Sequence, residues 1–407
     1  MKHIKIVFCL CAFFFFLKGN AQQLQTLIEE GLANNPEIQI FELKHQVAKE
    51  KVNEVNTLPN TQIGLGYFIS EPETRTGAQR FKVSAKQMLP SFGAITAREN
   101  YKNALADAVY EDVAIAKRKL VASISQSYFN LYALKEKQRV LDENRALLKT
   151  YEELALTSVE VGKASAVDVL RLQMRKNEIE QLKQVLEQEY LAEQTVLNKL
   201  LNRENKVPIY IENALVIPSE SDLINTENLA LHPELFKYDK LYESVEKSEL
   251  LNQKESNPMF GFGLDYIAVS GRPNMNFSDN GKDVLMPMVS VSIPIFNTKH
   301  KSKTRQNELQ QKEINFQKQN KLNHLETVLD KAVKKSNSAR ISYSTQVKNL
   351  KQAKDAETIL VKSYETGTID FNDVLDIQEL QLKFQINQIE SIKTYYLQRT
   401  IINYLTY

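Results

Sequence analysis

Two long tracts of the chain contain no proline. They run from Pro90 to Pro208 and from Pro294 to the last residue, and their only glycines are Gly93, Gly162 and Gly367. Because proline and glycine are the residues that interrupt helices, the tracts predict helices over about residues 95–158, 166–204, 298–363 and 370–404. A helix of about 60 residues rises on the order of 90 Å, which is typical of a coiled coil and not of a compact globule.

The spacing of apolar residues in the first tract supports the helical interpretation. They recur every three or four positions, as on one face of a helix. The residues on this face are Leu105, Val109, Val113, Ala116, Leu120, Ile124 and Tyr128. Each half of the chain is therefore expected to contain a long helical hairpin, with its turn near Gly162 or Gly367.

The chain also contains an internal repeat. Seven residues around Gly162 return around Gly367 at one constant offset. These pairs are Ser158 and Ser363, Glu160 and Glu365, Gly162 and Gly367, Asp168 and Asp373, Val169 and Val374, Leu170 and Leu375, and Gln173 and Gln378. Weaker matches join Pro36 to Pro233 and Pro90 to Pro294. We predict one duplicated unit, with a first repeat over residues 22–225 and a second over residues 226–407.

Each repeat holds two segments that alternate between apolar and small or polar residues. They predict strands over about residues 61–70, 80–89, 259–269 and 284–295. In the first of them Ile63, Leu65 and Tyr67 alternate with Gly64 and Gly66. This pattern fits the strand of a transmembrane barrel, but an ordinary half-buried antiparallel sheet has the same alternation, and the pattern alone favours that sheet. The polar connections, 71–79 and 270–283, are predicted to be exposed loops.

Residues 1–21 have the pattern of an export signal. Basic residues come first, a phenylalanine-rich apolar stretch follows, and small residues end the segment. Both cysteines of the chain, Cys9 and Cys11, lie inside it, so the mature chain is predicted to lack disulfides and thiol chemistry. No later segment has 18 consecutive apolar residues, so we expect any membrane insertion to use strands.

Charge and motifs exclude several functions. The formal net charge is +2, and it falls to about −1 without the signal, which gives no support for a nucleic-acid partner. The histidines are scattered, and no phosphate loop or nucleophile motif is present, so we predict no enzyme, no cofactor and no metal site. Four methionines cluster in the second pair of strands, namely Met259, Met275, Met286 and Met288. Packing or lipid contact explains them better than the binding of a soft metal ion.

The export signal, the repeated strand pair with long helices, and the motif of Gly367, Asp373, Val374, Leu375 and Gln378 together resemble the TolC-like outer membrane factors. The resemblance covers residues 22–407. It implies a mixed, mainly α fold with long coiled-coil helical hairpins and four β-strands per subunit. Three subunits would form an α-barrel tunnel and share one transmembrane β-barrel, and four strands alone are too few to close a barrel.

The resemblance also assigns a function. It implies a passive channel in the outer membrane of a Gram-negative type of cell, with a periplasmic extension. The partners would be a periplasmic adaptor protein and an inner-membrane pump of the resistance-nodulation-division (RND) type, besides outer-membrane lipid. The cargo would be drugs or heavy-metal ions, and the compactness of the chain resembles the heavy-metal branch of the family.

Family resemblance places a gate and a docking surface at the two helical turns, residues 159–168 and 364–373. The acidic pair Asp373 and Asp376 would line the constriction, and Tyr364 would donate a hydrogen bond to Asp168. Docking to the adaptor would use Val161, Gly162, Ala164, Thr366, Gly367 and Thr368. Ile369 stands where some members carry a basic residue, which indicates a different set of bonds in the closed state.

Two rival functions remain open from the sequence. The same fold could be the exit duct of a type I protein secretion system, because a duct contacts its cargo only briefly. The chain could also be a periplasmic coiled-coil scaffold without a channel. That scaffold would retain the long helices, but it would give no reason for two alternating strand pairs.

Overall fold

The computed structural model describes residues 22–162, 165–211, 215–218, 226–295 and 298–407. The predicted export signal lies outside the described residues. Helices and strands follow in this order: α1 (Gln22–Asn34), α2 (Pro36–Val55), β1 (Gln62–Tyr67), β2 (Glu73–Thr74), β3 (Gly77–Leu89), α3 (Ala94–Glu160), α4 (Ala166–Leu200), a 3-10 helix (Thr226–Leu231), α5 (Pro233–Glu255), β4 (Met259–Ser270), β5 (Val284–Ser292), α6 (Lys299–Glu365) and α7 (Phe371–Thr406).

Helices α3 and α6 are each 67 residues long and contain no proline. The end of α4 differs from the sequence prediction, because the helix ends at Leu200 and not near residue 204. Asn202 takes a positive φ of 58° there, and the amide of Arg203 reaches back to the Asn198 carbonyl at 2.8 Å. Asparagine tolerates this left-handed conformation, so it ends the helix as glycine commonly does.

The strands form one antiparallel sheet in the order β1-β3-β4-β5, with the two-residue β2 pairing with β3. Strand β3 lies between β1 and β4, so it joins the strands of the two predicted repeats in one sheet. Observed strand β1 covers residues 62–67, which is shorter than the predicted 61–70. The pairing of β2 with β3 was not predicted, since a two-residue strand leaves no periodic pattern.

The chain divides into two compact units. The first contains α1, α4, α7, the later part of α3 from Ala114 and the later part of α6 from Leu322. The second runs from Phe41 to Val113 and from Pro233 to Lys321, and it holds the whole sheet. The helical turns therefore belong to the first unit and the strands to the second.

The first unit has a hydrophobic core between its helices. On α3 the buried residues Leu141, Leu148 and Ala155 recur at steps of seven, as in a coiled coil, and Val140 is buried next to Leu141. The other helices of this core supply Leu172 and Ile179 from α4, Tyr364 from α6, and Phe371, Val374, Leu382 and Ile389 from α7. The sequence pattern that predicts long helices therefore also positions the two turns at the end of this core.

Candidate functional site

The first helical turn is held by a polar cap. Gly162 ends α3 with a φ of +72°, and its amide bonds to the Val159 carbonyl at 3.0 Å. Ser165 then caps α4: its hydroxyl accepts the amide of Val167 at 3.2 Å, and its own amide donates to the Asp168 carboxylate at 3.3 Å. This reciprocal pair is a capping box, so Asp168 has a structural role in starting α4.

A cation lies close to the Asp168 carboxylate. The Arg171 guanidinium, one turn further along α4, is 4.0 Å from it. The same guanidinium donates a hydrogen bond to the side-chain oxygen of Asn372 on α7, which connects the starts of the two helices. The first turn thus has its negative charge balanced nearby.

The second turn ends α6 by a different set of bonds. Gly367 takes a φ of +75°, its amide bonds to the Tyr364 carbonyl at 2.9 Å, and the amide of Thr368 bonds to the Ser363 carbonyl at 3.0 Å. This pair of bonds is a Schellman motif, which needs a left-handed residue that glycine adopts at little cost. The hydroxyls of Thr366 and Thr368 also donate to the Ser363 carbonyl, at 2.9 and 2.8 Å.

Three carboxylates follow the second turn at successive helical turns. Asp370 is the N-cap residue of α7 but makes no side-chain capping bond. Asp373 and Asp376 are exposed, as is Asp370. Within the described part of the chain, none of the three has an ion pair or a side-chain hydrogen bond. The structure therefore leaves these charges open to solvent or to another molecule, as a constriction residue would require.

The predicted hydrogen bond from Tyr364 to Asp168 is absent from this chain. The Tyr364 hydroxyl is buried and has no hydrogen-bond partner among the described residues. Its ring packs edge-to-face on Phe371, with the ring centroids 4.8 Å apart. The carboxylate of Asp168 accepts the Ser165 amide instead, because the capping box is local and needs no other helix.

The residues predicted for adaptor docking lie at or beside the turns. Val161, Gly162, Thr366, Gly367 and Thr368 are exposed. Ala164, also predicted for docking, lies outside the described residues. The two glycines have open space around them, since a Cβ added at either would meet nothing within 4 Å. These positions are accessible, and the role of all six in docking stays a prediction.

A buried aromatic group lies beneath the second turn. Phe371 is 1% exposed and contacts Tyr364 and Tyr151, with 5.9 Å between the Phe371 and Tyr151 ring centroids. The Tyr151 hydroxyl donates to the Glu357 carboxylate, which also accepts the Gln381 amide at 2.8 Å. Burial, together with this hydrogen bond, raises the pKa of Tyr151 well above its ordinary value.

Sequence reasoning missed this aromatic group, although a signal for it exists. At the repeat offset, Tyr364 and Phe371 replace Val159 and Ala166 of the first turn. The second turn thus has two aromatic residues, one on each side of the glycine, where the first turn has two small aliphatic ones, and this indicates that the two turns pack differently.

The strands present two chemically different faces. Since side chains alternate along a strand, the register places the apolar residues of all four longer strands on one face. This apolar face consists of Ile63, Leu65, Tyr67, Phe81, Val83, Phe260, Phe262, Leu264, Tyr266, Leu285, Val289 and Val291. Many of these side chains are strongly exposed, with Leu65 at 80% and Val289 at 71%.

The opposite face, which we call the polar face, includes glycines, serines and charged residues. On it Lys82 and Lys86 of β3 lie beside Asp265 and Gly263 of β4. Asp265 is fully buried and forms an ion pair with the Lys82 ammonium group. The usual distribution in a water-soluble protein is thus reversed in this sheet, because large apolar side chains are exposed while the Asp265 carboxylate is covered.

The methionines of β4 and β5 lie on the polar face. Met286 stands opposite Asp265 and Met288 opposite Gly263, and Met259 is opposite Ser292. These three therefore lie on the polar face and do not contribute to the apolar face. Met275 lies between β4 and β5.

Among the described residues, no helix is both long and apolar enough to cross a membrane. No group of three or more histidine, cysteine, aspartate or glutamate residues in the described ranges is arranged to hold a metal ion.

The chain is similar to known outer membrane proteins in sequence and in structure. Residues 27–203 match the sequence model of the family described as outer membrane efflux protein. This segment, which is less than half of the chain, is similar to the outer membrane efflux protein family. The family predicted from the sequence is therefore confirmed for this segment, and the family's description agrees with the predicted location in the outer membrane. A search of curated proteins finds no match for the chain.

Solved structures of outer membrane proteins share the fold. The channel-forming protein CusC superposes with a TM-score of 0.77 at 16% identity, covering 94% of this chain and 92% of its own. The outer-membrane channel OprN gives 0.76 at 16%, covering 94% and 89%. The outer membrane protein VceC of Vibrio cholerae gives 0.73 at 16%, covering 94% and 96%. At these identities the likeness establishes the fold, so the predicted mainly helical architecture with a small antiparallel sheet is confirmed.

Proposed function

We propose that this protein is the exit channel of a tripartite efflux system. It would act as a passive conduit that receives its cargo from a periplasmic adaptor protein and an inner-membrane pump of the RND type. It would work as a homotrimer, with its strands in the outer membrane and its helices in the periplasm. No catalytic step is part of this function.

The exposed apolar face of the sheet carries this proposal. A water-soluble protein rarely exposes a contiguous apolar patch of this extent, because each large side chain left in water forgoes about 1.5–3 kcal/mol of burial free energy. Contact with lipid removes that cost, and alternation of apolar and polar residues is the pattern of strands in outer-membrane proteins. A periplasmic scaffold would have no use for such a face, so the proposal favours the channel over the scaffold.

The edges of the sheet support a trimer. Strands β1 and β5 each pair on one side only, with β3 and β4 respectively. Backbone groups left unpaired inside a bilayer cost several kcal/mol each, so a membrane sheet must close on itself. Four longer strands are too few to close a barrel, whereas three copies supply enough.

The second helical turn supports a gate. Asp373 and Asp376 are exposed and have no described ion pair, so three chains would bring six carboxylates to one opening. Such a ring would attract cations, and repulsion between its like charges would resist closure. We place the gate at these two residues, with Tyr364 and Asp168 as supports for the two turns and not as bonding partners of one another. The exposed turn residues would receive the adaptor.

Cargo identity separates this proposal from export of proteins through a type I system. The described residues favour neither class, because a duct contacts its cargo only briefly. The partner pump would decide the cargo, and its identification in the same cell would distinguish drugs, metal ions and proteins.

Two measurements test the proposed channel. The mature protein should fractionate with the outer membrane, require detergent for solubility, and produce discrete conductance steps when added to a planar lipid bilayer. A matched variant, Leu65→Asp with Val289→Asp, places charges on the apolar face and should abolish insertion. Solubility of the wild-type protein without detergent, together with absence of conductance, would overturn the proposal in favour of the scaffold.

A further inference from the structure

The polar face of the strands contains three charged residues in the region where β3 pairs with β4. Lys82, Ser84 and Lys86 of β3 stand opposite Ile267, Asp265 and Gly263 of β4, respectively. The neighbouring strands bring no charge to this part of the face. They contribute Gln62, Gly64 and Gly66 from β1, and Met286, Met288 and Ser290 from β5.

Asp265 is the most deeply covered charged side chain of the described sheet. It is 0% exposed, and neither carboxylate oxygen has a hydrogen bond within the described ranges. Its described partner is the Lys82 ammonium group, whose side chain is 35% exposed. A buried carboxylate that has one cation as partner and no hydrogen bonds depends on that cation, because removal of either partner leaves an uncompensated charge.

Lys86 differs from Lys82 although the two lie on the same face two residues apart. Lys86 is exposed, and it has no ion pair among the described residues. Its Cγ atom lies 3.3 Å from the position that a Cβ on Gly263 would occupy, so the glycine leaves room for the lysine stem. The polar face therefore carries one balanced pair and one open positive charge in each chain.

We propose that Asp265 is a specificity-determining residue of the channel, which acts by cancelling the charge of Lys82. The proposal rests on the proposed channel function, in which the polar face borders the ion path. With Asp265 present, Lys86 alone sets the charge of this face. Without it, Lys82 adds a second positive charge per chain, and the path favours anions more strongly. This effect is separate from that of Asp373 and Asp376, which belong to the other unit of the chain.

The test is a charge-cancellation cycle measured by reversal potential in planar bilayers under a potassium chloride gradient. Asp265→Asn should lower the cation-to-anion permeability ratio by about two- to fivefold, the size expected for one charge per chain near a partly hydrated path. Lys82→Gln should raise the ratio by a similar factor. The double variant, which removes both charges, should return to the wild-type ratio.

Two controls calibrate the effect. Lys86→Gln removes the open charge and should raise the ratio, whereas Lys49→Gln removes an exposed charge on α2 and should leave it unchanged. If Lys82→Gln does not insert because the buried Asp265 carboxylate is left uncompensated, Asp265→Asn and the double variant still decide the question. Equal ratios for Asp265→Asn and wild type would overturn the proposal.

Failure of this inference and failure of the channel function give different results. A wild-type protein that forms no conducting pore would refute the channel, and this proposal with it. A wild-type protein that conducts, with a ratio insensitive to Asp265 and Lys82, would leave the channel intact and refute the role of Asp265 alone.

Discussion

The two helical turns share a sequence pattern and are stabilised in different ways. In the first turn, Ser165 and Asp168 exchange capping bonds and Arg171 lies near the carboxylate. At the repeat offset these three residues become Asp370, Asp373 and Asp376, which are exposed and have no described charge partner. The second turn relies instead on the buried rings of Phe371 and Tyr364.

The repeated residues of the turns therefore have different roles: in the first turn they stabilise the start of a helix, and in the second turn they are available for function. The aromatic contacts of Phe371, the first residue of α7, keep the start of this helix in place, so the carboxylates there need not serve as caps. In the first turn the polar side chains are committed to the helix start, and they have little freedom to bind anything else. Charge available for function is therefore concentrated in the second turn, which agrees with placing the gate at Asp373 and Asp376.

The largest expected effect comes from Phe371→Ala. The ring is 1% exposed, and removing a buried phenylalanine costs about 3–5 kcal/mol. Hydrogen exchange of the amides at the end of α6 and the start of α7 should accelerate strongly, while the first turn keeps its protection. Phe316→Ala is the control, since that ring is 77% exposed on α6 and its loss should change little. Equal acceleration in both variants would show that the aromatic group does not hold the second turn.

The next effect concerns the caps. Ser165→Ala removes the hydroxyl that accepts the Val167 amide, and loss of such a cap costs about 1 kcal/mol. Asp370→Ala occupies the equivalent position in the second turn and should cost much less, because Asp370 makes no capping bond. Urea unfolding monitored by local hydrogen exchange would compare the two. A larger loss for Asp370→Ala than for Ser165→Ala would contradict the assignment of the caps.

A smaller effect is expected from pH at the first turn. The hydrogen bond from Lys176 lowers the pKa of Glu152 below its ordinary value of 4.5. A lowered pKa means that the folded state favours the ionised carboxylate, so this stabilisation is complete above pH 4.5 and is lost as pH falls through the lowered value. At the offset, Gln381 replaces Lys176, and the second turn lacks this ion pair.

We therefore expect Lys176→Gln to remove a few tenths of a kcal/mol near neutral pH, the usual size for a pair close to the surface. The variant should also lose the part of the acid dependence that is confined to the α3–α4 hairpin. Hydrogen exchange of that hairpin measured from pH 6 down to about pH 3 would detect the change. An acid dependence that is the same in wild type and variant would rule out this pair as its source.

The smallest effect is expected from Tyr364→Phe. Its hydroxyl is buried without a described hydrogen-bond partner, so removing it should be close to neutral or slightly stabilising. Thermal unfolding of the detergent-solubilised protein would measure this. A clear destabilisation would mean that the hydroxyl is bonded in the assembled protein, for instance to a carboxylate of another subunit.

Sequence reasoning succeeded where a long pattern repeated. The absence of proline predicted helices close to α3 and α6, and alternation predicted the strands together with their apolar face. The predictions were wrong at single residues whose conformation depends on packing or on which of several local hydrogen bonds forms. Asn202 ended α4 early through a left-handed conformation, and no periodic signal marks that event.

The predicted bond between Tyr364 and Asp168 failed for a related reason. The family resemblance identified the two residues, but the carboxylate of Asp168 accepts a hydrogen bond from the backbone amide of Ser165, which is only three residues away. The contrast in charge between the turns is visible in the sequence, because Asp376 occupies the position of Arg171 at the repeat offset. The positions that differ between the two repeats are therefore as informative about the turns as the positions that are identical.

Single-channel recording tests the proposed gate most directly, and with it the difference between the two turns. Asp373→Asn combined with Asp376→Asn should lower the cation-to-anion permeability ratio by about fivefold or more, because three chains lose six carboxylates together. Asp168→Asn, the matched change in the first turn, should leave the ratio near wild type. An unchanged ratio in the double variant, or an equal fall with Asp168→Asn, would contradict the placement of the gate at the second turn.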